Sequence, residues 1–289
     1  MLPLKDNNPT SRFPVVTVGL IVACVLVFFW QLNFPENQRL SEAGFGHVDQ
    51  SSLEYGAIPY RITHTGVGDC DIGAVSEFAP GQFEAGVVCP GTKDYDEAVA
   101  RSQANQGANL GPFQIDQKPW WVTLFTSMFM HGGWLHIIGN MLFLWVFGNN
   151  IEEKMGRLKF LLFYVLAGLI AVYTQALIDP GSTAPTIGAS GAVAGVLGGY
   201  ALLFPAARVI TLIFIVFFVT LVEIPAYVML GIWFLLQFIP AVGQVAVPDI
   251  GGQGGVAYFA HVGGFVFGLA LVKVFVRRRP TYPPPIAAG

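Results

Sequence analysis

Two residues of this sequence, Ser190 and His261, have the types and surroundings that nucleophilic chemistry requires. Ser190 lies among small residues, in Gly188-Ala189-Ser190-Gly191, so its hydroxyl is open to a substrate backbone. A serine hydroxyl needs a base to become a nucleophile, and histidine is the usual partner. A serine near the start of a helix also lies among free backbone N–H groups, which stabilise an oxyanion. The pair therefore predicts a serine nucleophile with His261 as its base.

Further polar residues that could complete such a site lie at the start of another apolar run. These are His131, His136 and Asn140, and Asn140 follows His136 by four residues, on the same face of a helix. An amide and an imidazole on that face can both donate hydrogen bonds to an oxyanion. We predict that His136, Asn140 and Gly188 form the oxyanion and substrate-binding part of the site, and that His131 is structural.

The composition indicates that these residues lie in a membrane. The 289-residue chain is 54% hydrophobic and 11% charged, with a mean hydropathy of +0.58, whereas a soluble domain carries about 25% charged residues. So few charges cannot cover the surface of a soluble globule of this size. A spanning helix needs about 20 mostly apolar residues, and six runs are predicted to span, at residues 15–32, 133–151, 158–178, 188–204, 225–242 and 256–276.

The distribution of Lys and Arg predicts the orientation of these spans. Basic residues are concentrated before the first span, in the connection after the second, after the fourth and at the end of the sixth. They are Lys5, Arg12, Lys154, Arg157, Lys159, Arg208, Lys273, Arg277, Arg278 and Arg279. The connections 179–187 and 243–255 contain none. This alternation is the one that six spans with both termini in the cytoplasm require. A seventh apolar run, 209–222, is short and rich in β-branched residues and Phe, and we predict that it is re-entrant or interfacial on the cytoplasmic side.

The predicted organisation has five parts. Residues 1–14 form a cytoplasmic N-tail, 15–32 the first transmembrane helix, and 33–119 an external loop. Residues 120–276 form the catalytic core and 277–289 a cytoplasmic Pro-rich tail, which is expected to be disordered. The external loop carries twelve acidic and five basic residues, and Cys70 and Cys89 within it suit a disulfide.

Neither a cofactor nor a nucleic acid is expected from these residues. The three cysteines have no metal-ligand spacing such as C-x-x-C, so a zinc site is not predicted. The net charge of −3 gives no indication of nucleic-acid binding.

Depth and glycine spacing favour a contact between Ser190 and His261. Ser190 is the third residue of the fourth predicted span and His261 the sixth of the last, so both lie about 3–8 Å below the outer helix ends. Glycines recur every four residues on both spans and predict closely approaching backbones, at Gly191, Gly195 and Gly199 and at Gly264 and Gly268. A lone serine in such a span usually serves packing, and a lone intramembrane histidine is more often a proton relay. The joint appearance of nucleophile, base and oxyanion donors favours catalysis.

Three motifs together carry a family resemblance. They are His131-Gly-Gly-Trp-Leu-His136-Ile-Ile-Gly-Asn140, then Gly188-Ala-Ser190-Gly191, then Ala260-His261-Val-Gly-Gly264-Phe-Val-Phe-Gly268. In this order, over residues 120 to 276, they resemble the rhomboid intramembrane proteases. The stretch Glu152-Glu153-Lys154-Met155-Gly156, at the cytoplasmic end of the second span, is also similar to that family.

The resemblance implies a fold and an activity. The fold would be an all-α polytopic membrane protein, a six-transmembrane-helix rhomboid-like bundle, here with a long external first loop. The activity would be that of an intramembrane serine endopeptidase with a Ser190–His261 dyad, no third acidic member, and an oxyanion hole from His136, Asn140 and the Ser190 N–H. Its partners would be the lipid bilayer and transmembrane protein substrates, unwound near the outer leaflet, and its location a bacterial plasma membrane.

The sequence departs from the family pattern at one position, and it leaves two alternative functions to consider. Many rhomboids carry, four residues after the serine, a Tyr that packs on the catalytic histidine, but this chain has Ala194, so Tyr258 or Phe259 is expected to hold the imidazole. The alternative within the family is a catalytically inactive rhomboid-like protein that binds membrane clients. A transporter or channel with a histidine relay is a third reading, but it predicts more intramembrane carboxylates than Glu223.

Overall fold

The computed structural model of the chain describes residues 2–79, 82–104, 112–215, 218–246 and 256–276. The predicted tail 277–289, with its three arginines, lies outside the described residues. Residues 247–255, which form most of the connection before the last predicted span, lie outside them as well.

The described part of the chain is mostly helical, and a helix covers most of each predicted span. The long helices are α1 (Val15–Leu32), α7 (Trp134–Met155), α8 (Arg157–Ile178), α9 (Ser190–Leu203), α10 (Ala226–Ala246) and α11 (Tyr258–Phe275). Shorter helices lie between α1 and α7, namely α2 (Gln38–Glu42), α3 (His47–Tyr55), α4 (Pro59–Thr63), α5 (Lys93–Ala104) and α6 (Trp120–Thr126). Within the described residues, four helices are long and apolar enough to cross a membrane: α1, α8, α10 over Ala226–Gln244, and α11. Helix α9 is apolar but has only 14 residues.

The all-α expectation is wrong in two regions, each of which forms a three-stranded sheet. The strands are β1 (Leu2–Asp6), β2 (Asp71–Ala79), β3 (Gln82–Val88), β4 (Phe113–Gln114), β5 (Arg208–Ile215) and β6 (Phe218–Pro225). The sheets have the orders β1-β5-β6 and β3-β2-β4, and all their pairs are antiparallel.

The first sheet contains residues 209–222, the short apolar run for which the sequence predicts a re-entrant or interfacial segment. Strands β5 and β6 are rich in β-branched side chains, which fit a pleated strand better than a helix. They form a hairpin, and β1 pairs with β5 so that Leu2 lies opposite Leu212 and Asp6 opposite Val209. Strand β5 is thus paired on both sides and β6 on one side, which a lone strand in lipid could not achieve.

Arg208 and Glu223 lie at the same end of the hairpin. Arg208 pairs with Pro225, and Ile210 pairs with Glu223 two residues further along the ladder. The prediction that this run stays on one side of the membrane remains a prediction, since the register fixes only where the two charges lie relative to each other.

Helix α9 lies at the centre of the bundle. Every residue from Gly191 to Tyr200 is buried. A Cβ on Gly264 would overlap the carbonyl oxygen of Gly191, and one on Gly268 would overlap that of Gly195. The backbones of α9 and α11 therefore touch, as the glycine spacing predicted, and this contact sets how closely residues at the start of the two helices approach.

The other side of α9 packs on α8 and against aromatic side chains. A Cβ on Gly191 would overlap Ala171, and one on Gly195 would overlap Ala167. Fully buried rings fill the remaining space, and Phe147 of α7 lies edge-on to Tyr200 at 4.8 Å between ring centroids. Helix α9 is therefore held from three sides.

The acidic motif at the end of α7 anchors α1. The Glu152 carboxylate accepts hydrogen bonds from the backbone N–H groups of Val16 at 3.0 Å and Thr17 at 2.8 Å, and from the Thr17 hydroxyl at 2.8 Å. Glu153 accepts a hydrogen bond from the Ser11 N–H at 3.1 Å and another from the Ser11 hydroxyl. A carboxylate at a helix start satisfies free N–H groups and matches the positive end of the helix dipole. The motif thus joins the first helix to the core.

The segment between α1 and α6 has its own small core and is joined to the loop that precedes α9. Cys70 and Cys89 form a disulfide, the pairing that the sequence suggested. Ala57 and Thr186 exchange backbone hydrogen bonds, at 3.1 Å from the Ala57 N–H and 2.8 Å from the Thr186 N–H. The Tyr60 N–H donates to the Ser182 carbonyl at 2.9 Å.

Candidate functional site

Ser190 and His261 meet at the start of α9 and near the start of α11. The Ser190 Oγ lies 2.7 Å from the His261 Nε2, although the two residues are 71 positions apart. Ser190 is the first residue of α9, so its own N–H belongs to the group of helix N–H groups without an intrahelical acceptor. A hydroxyl that donates to an unprotonated imidazole nitrogen can pass on its proton as it attacks a carbonyl carbon.

Gly188 has a backbone conformation and surroundings that exclude a side chain. Its φ is +128°, in a region that L side chains rarely adopt, and an added Cβ would lie 2.8 Å from the His136 Nε2. Its N–H donates to the Ser127 carbonyl at 2.8 Å. Gly188 therefore lets the chain turn into α9 while His136 lies against the backbone beside Ser190.

His136 and Asn140 both present hydrogen-bond donors to the same space. The Gly132 N–H donates to the His136 Nδ1 at 3.2 Å, so in the neutral ring the proton is on Nε2, which faces Gly188. The Asn140 side chain is buried, and among the described residues its Nδ2 has no hydrogen-bond partner. Such free donors beside a nucleophile are suited to bind an oxyanion.

A cavity of about 550 Å³ joins these groups. All five predicted site residues line it: Ser190, His261, His136, Asn140 and Gly188. In the described part of the chain, no group of three or more His, Cys, Asp or Glu side chains is arranged to hold a metal ion. The arrangement places a serine hydroxyl, an imidazole and hydrogen-bond donors in one cavity, which are the types of group that acyl transfer needs.

Comparison with known proteins places the chain in a family. The family model described as Rhomboid domain matches residues 118–278, more than half of the chain. The chain belongs to the rhomboid family. It is therefore an integral membrane protein whose matched region starts just before α6 and includes α7 to α11.

Several rhomboid relatives have recognisable similarity. The chain is 30% identical to the mitochondrial Rhomboid protein 1 of Saccharomyces cerevisiae over 152 residues, which are 51% of this chain and 40% of that protein. It is 38% identical to Rhomboid protease GluP of Bacillus subtilis over 84 residues, 29% of this chain and 16% of the relative. It is 32% identical to Presenilin-associated rhomboid-like protein A, mitochondrial, of Danio rerio over 84 residues, 28% of this chain and 22% of the relative. The chain thus spans less than half the length of each.

Two residues beside the His261 imidazole were not predicted from the sequence. The Gln237 Oε1 lies 2.8 Å from the His261 Nδ1, and the Trp233 ring lies 6.2 Å from the imidazole between centroids. Tyr258, one of the two residues expected to hold the imidazole, is edge-on at 6.5 Å. A glutamine inside an otherwise apolar span was an available indication, since polar residues in spans are costly and usually functional.

His131 lies behind the site and is completely buried. Its ring is edge-on to that of His136, with 5.2 Å between centroids. The backbone N–H of His131 donates to the Gln31 Oε1 at 2.9 Å, and the Gln31 Nε2 donates to the Ser51 Oγ at 3.1 Å. Gln31, at the end of α1, thus connects the chain before α7 to helix α3.

Proposed function

We propose that this chain is an intramembrane serine endopeptidase that cleaves transmembrane segments of other membrane proteins near the outer leaflet. The observation that carries the proposal is the 2.7 Å contact between the Ser190 Oγ and the His261 Nε2 inside a cavity lined by oxyanion donors. Membership of the rhomboid family, in which relatives named as proteases occur, supports it.

The proposed reaction is acyl transfer to Ser190. The Ser190 proton moves to the His261 Nε2 while Oγ forms a bond to the substrate carbonyl carbon. The resulting oxyanion is bound by the Ser190 N–H, the His136 Nε2–H and the Asn140 Nδ2–H. His261 then gives its proton to the leaving amine as the peptide bond breaks, and water releases the acyl group with His261 again as base.

The membrane arrangement is part of the proposal. The six long helices cross the bilayer, both termini are cytoplasmic, and the 33–119 loop is external, with 120–276 as the catalytic core. The alternation of Lys and Arg supports this orientation, and the Cys70–Cys89 disulfide supports an oxidising location for the loop. The tails 1–14 and 277–289 would then share the cytoplasmic side.

The membrane in which the protein resides is a separate question from its orientation. The relatives include mitochondrial proteins and proteins of Bacillus subtilis, so similarity alone does not select among these membranes. Location in a bacterial plasma membrane stays a prediction.

The test is labelling with a serine-reactive fluorophosphonate, together with cleavage of a transmembrane substrate in detergent or liposomes. Ser190→Ala and His261→Ala should each abolish both, and the double variant should be no worse than either single, because the two residues act as a unit. Ser182→Ala, in the preceding loop, is the matched serine control and should retain both. Near-normal cleavage by Ser190→Ala would refute the proposal. An unmodified chain that folds but neither labels nor cleaves would favour the inactive client-binding alternative.

A further inference from the structure

Helix α10 presents a pair of side chains to the base, and the pair is spaced by one helical turn. Trp233 and Gln237 are four residues apart, so they share a face. That face lies against His261 and Phe265 of α11, which are also four residues apart. The Trp233 ring lies 6.2 Å from the His261 ring and 6.0 Å from the Phe265 ring, between centroids. The aromatic contacts bring the end of Gln237 to the imidazole.

The contact between Gln237 and His261 selects one tautomer of the imidazole. The Gln237 Oε1 is 2.8 Å from the His261 Nδ1, and a carbonyl oxygen can only accept a hydrogen bond. The Nδ1 therefore carries the proton. A neutral ring protonated at Nδ1 has an unprotonated Nε2, which is the nitrogen 2.7 Å from the Ser190 Oγ. The amide thus turns the basic nitrogen towards the nucleophile.

In the part of the chain that the structure describes, no carboxylate accepts the Nδ1–H hydrogen bond of His261. Among the described residues, those that line the cavity include no Asp, Glu, Lys or Arg. The titratable groups that face His261 are Ser190 from α9, His136 from α7 and Tyr258 of its own helix. Gln237 from α10 is neutral. The imidazolium that forms during proton transfer is therefore stabilised on its Nδ1 side by an amide dipole.

We propose that Gln237 is a positioning residue that completes a Ser190–His261–Gln237 triad. It sets the tautomer and ring orientation of the base and accepts the Nδ1–H hydrogen bond that strengthens when the ring becomes charged. The inference rests on the proposed function, since it assigns Gln237 a role only if His261 acts as the base for Ser190.

The first test compares Gln237→Met with Gln237→Glu. Methionine has a similar length but no strong acceptor, whereas glutamate keeps an acceptor oxygen at the same place. The rate of fluorophosphonate labelling of Ser190 should fall about 10- to 100-fold in Gln237→Met, by analogy with the loss seen when a metal-bound histidine loses its outer hydrogen-bond partner. Cleavage should show the same fall in kcat with little change in KM. Gln244→Met, two turns further along α10, is the matched control and should label at the normal rate.

The second test is the pH profile of Gln237→Glu. This variant should retain labelling at neutral and higher pH. A carboxylate beside Nδ1 stabilises the protonated ring, so the acid-side fall in labelling rate should begin at a higher pH than in the unmodified chain. This shift shows that the side chain at position 237 reaches the imidazole, and retained labelling shows that an acceptor oxygen there is sufficient.

The outcomes separate the two proposals. If the unmodified chain labels at Ser190 but Gln237→Met labels at the same rate with the same pH profile, the triad is refuted and the dyad stands. Loss of labelling in Gln237→Met together with an equal loss in Gln237→Glu at every pH would also refute it, because the acceptor would then be irrelevant. If Ser190→Ala leaves cleavage intact, the proposed function itself fails. Thermal unfolding of each variant in detergent shows that any loss is not a loss of fold.

Discussion

At the scale of single residues, the polar groups of the site differ in whether their hydrogen bonds are satisfied. The Ser190–His261 contact and the Gly132 N–H bond to His136 are ordinary hydrogen bonds, at 2.7 and 3.2 Å. The Asn140 Nδ2, in contrast, is buried with no partner among the described residues. A buried donor without a partner costs free energy of about 1–3 kcal/mol, unless a ligand or water satisfies it. This cost suits a group whose partner arrives with the substrate.

Asn140→Ala should therefore lower turnover more than it affects the nucleophile. Loss of one oxyanion donor costs about 10²–10³ in rate, whereas the Ser190–His261 hydrogen bond does not involve Asn140. Cleavage and fluorophosphonate labelling of the same preparation separate the two effects. Asn149→Ala, near the other end of α7, is the amide control. Unchanged turnover in Asn140→Ala would make Asn140 a packing residue.

The types and spacing of Ser190, His261, His136 and Asn140 were sufficient to propose the site from the sequence. Gln237 was not found in this way, because its partner lies 24 residues away on another helix and no local pattern joins them. Only the packing of α10 on α11 brings its amide to the imidazole.

At the scale of elements, the contact of α9 with α11 determines the geometry of the site. Backbone carbonyls of α9 fill the space that side chains would need at Gly264 and Gly268. In a bilayer, helix association depends on such close packing, because lipid tails are as apolar as the side chains. The two glycines lie one and two turns below His261, and so they set the height and separation at which the imidazole meets Ser190.

Gly268→Ala should destabilise the protein and lower activity together. The added methyl group would overlap the Gly195 carbonyl oxygen, and overpacking of this kind costs about 1–3 kcal/mol. The change is measured as a lower midpoint of thermal unfolding in detergent, with the labelling rate recorded in parallel. Gly231→Ala on α10 is the matched control, since a Cβ there meets open space. Equal midpoints for the two variants would mean that α9 and α11 are not held at this distance.

Helices and strands differed in how far the sequence determined them. Apolar runs of about 20 residues predict helices because a bilayer leaves few other structures possible, and α1 has the predicted bounds. The hairpin of β5 and β6 was not predicted as strands. Both of its faces carry apolar residues, so the alternation that identifies a strand is absent. The strand that completes the sheet, β1, lies near the start of the described chain, far from β5 in the sequence.

At the scale of the whole molecule, the segment between α1 and α6 is coupled to the site through the chain before Ser190. Ala57 and Thr186 are paired by two backbone hydrogen bonds, and the Gly188 N–H is bonded to the Ser127 carbonyl. Thr186 and Gly188 both line the cavity. A shift of the segment between α1 and α6 would therefore move one wall of the site without a change in any residue proposed to be catalytic.

Gly56→Ala tests this coupling. A Cβ there would overlap the Ser52 carbonyl oxygen at the end of α3, and it would lie 2.9 Å from the Pro185 Cβ and 3.1 Å from the Ile187 Cγ2. The end of α3 and the loop before Gly188 must therefore move apart. Because small misplacements of a reacting group are costly, we expect cleavage to fall about 10- to 100-fold. Gly66→Ala, in the same segment, is the control, since its added Cβ meets open space. If both variants cleave at the normal rate, the segment folds independently of the site.

The pairing of β1 with the hairpin also has a consequence for the time course of biosynthesis. The Arg208 N–H donates to the Asn7 Oδ1 across 201 residues, and the Asp6 carboxylate accepts a hydrogen bond from the Tyr200 hydroxyl across 194. A ribosome adds about 5–20 residues per second, so the first strand is made about 10–40 s before its partner. Helices α1, α7 and α8 are made during that interval, while β1 is an unpaired strand that other nascent chains could join. Synthesis of β5 ends this exposure.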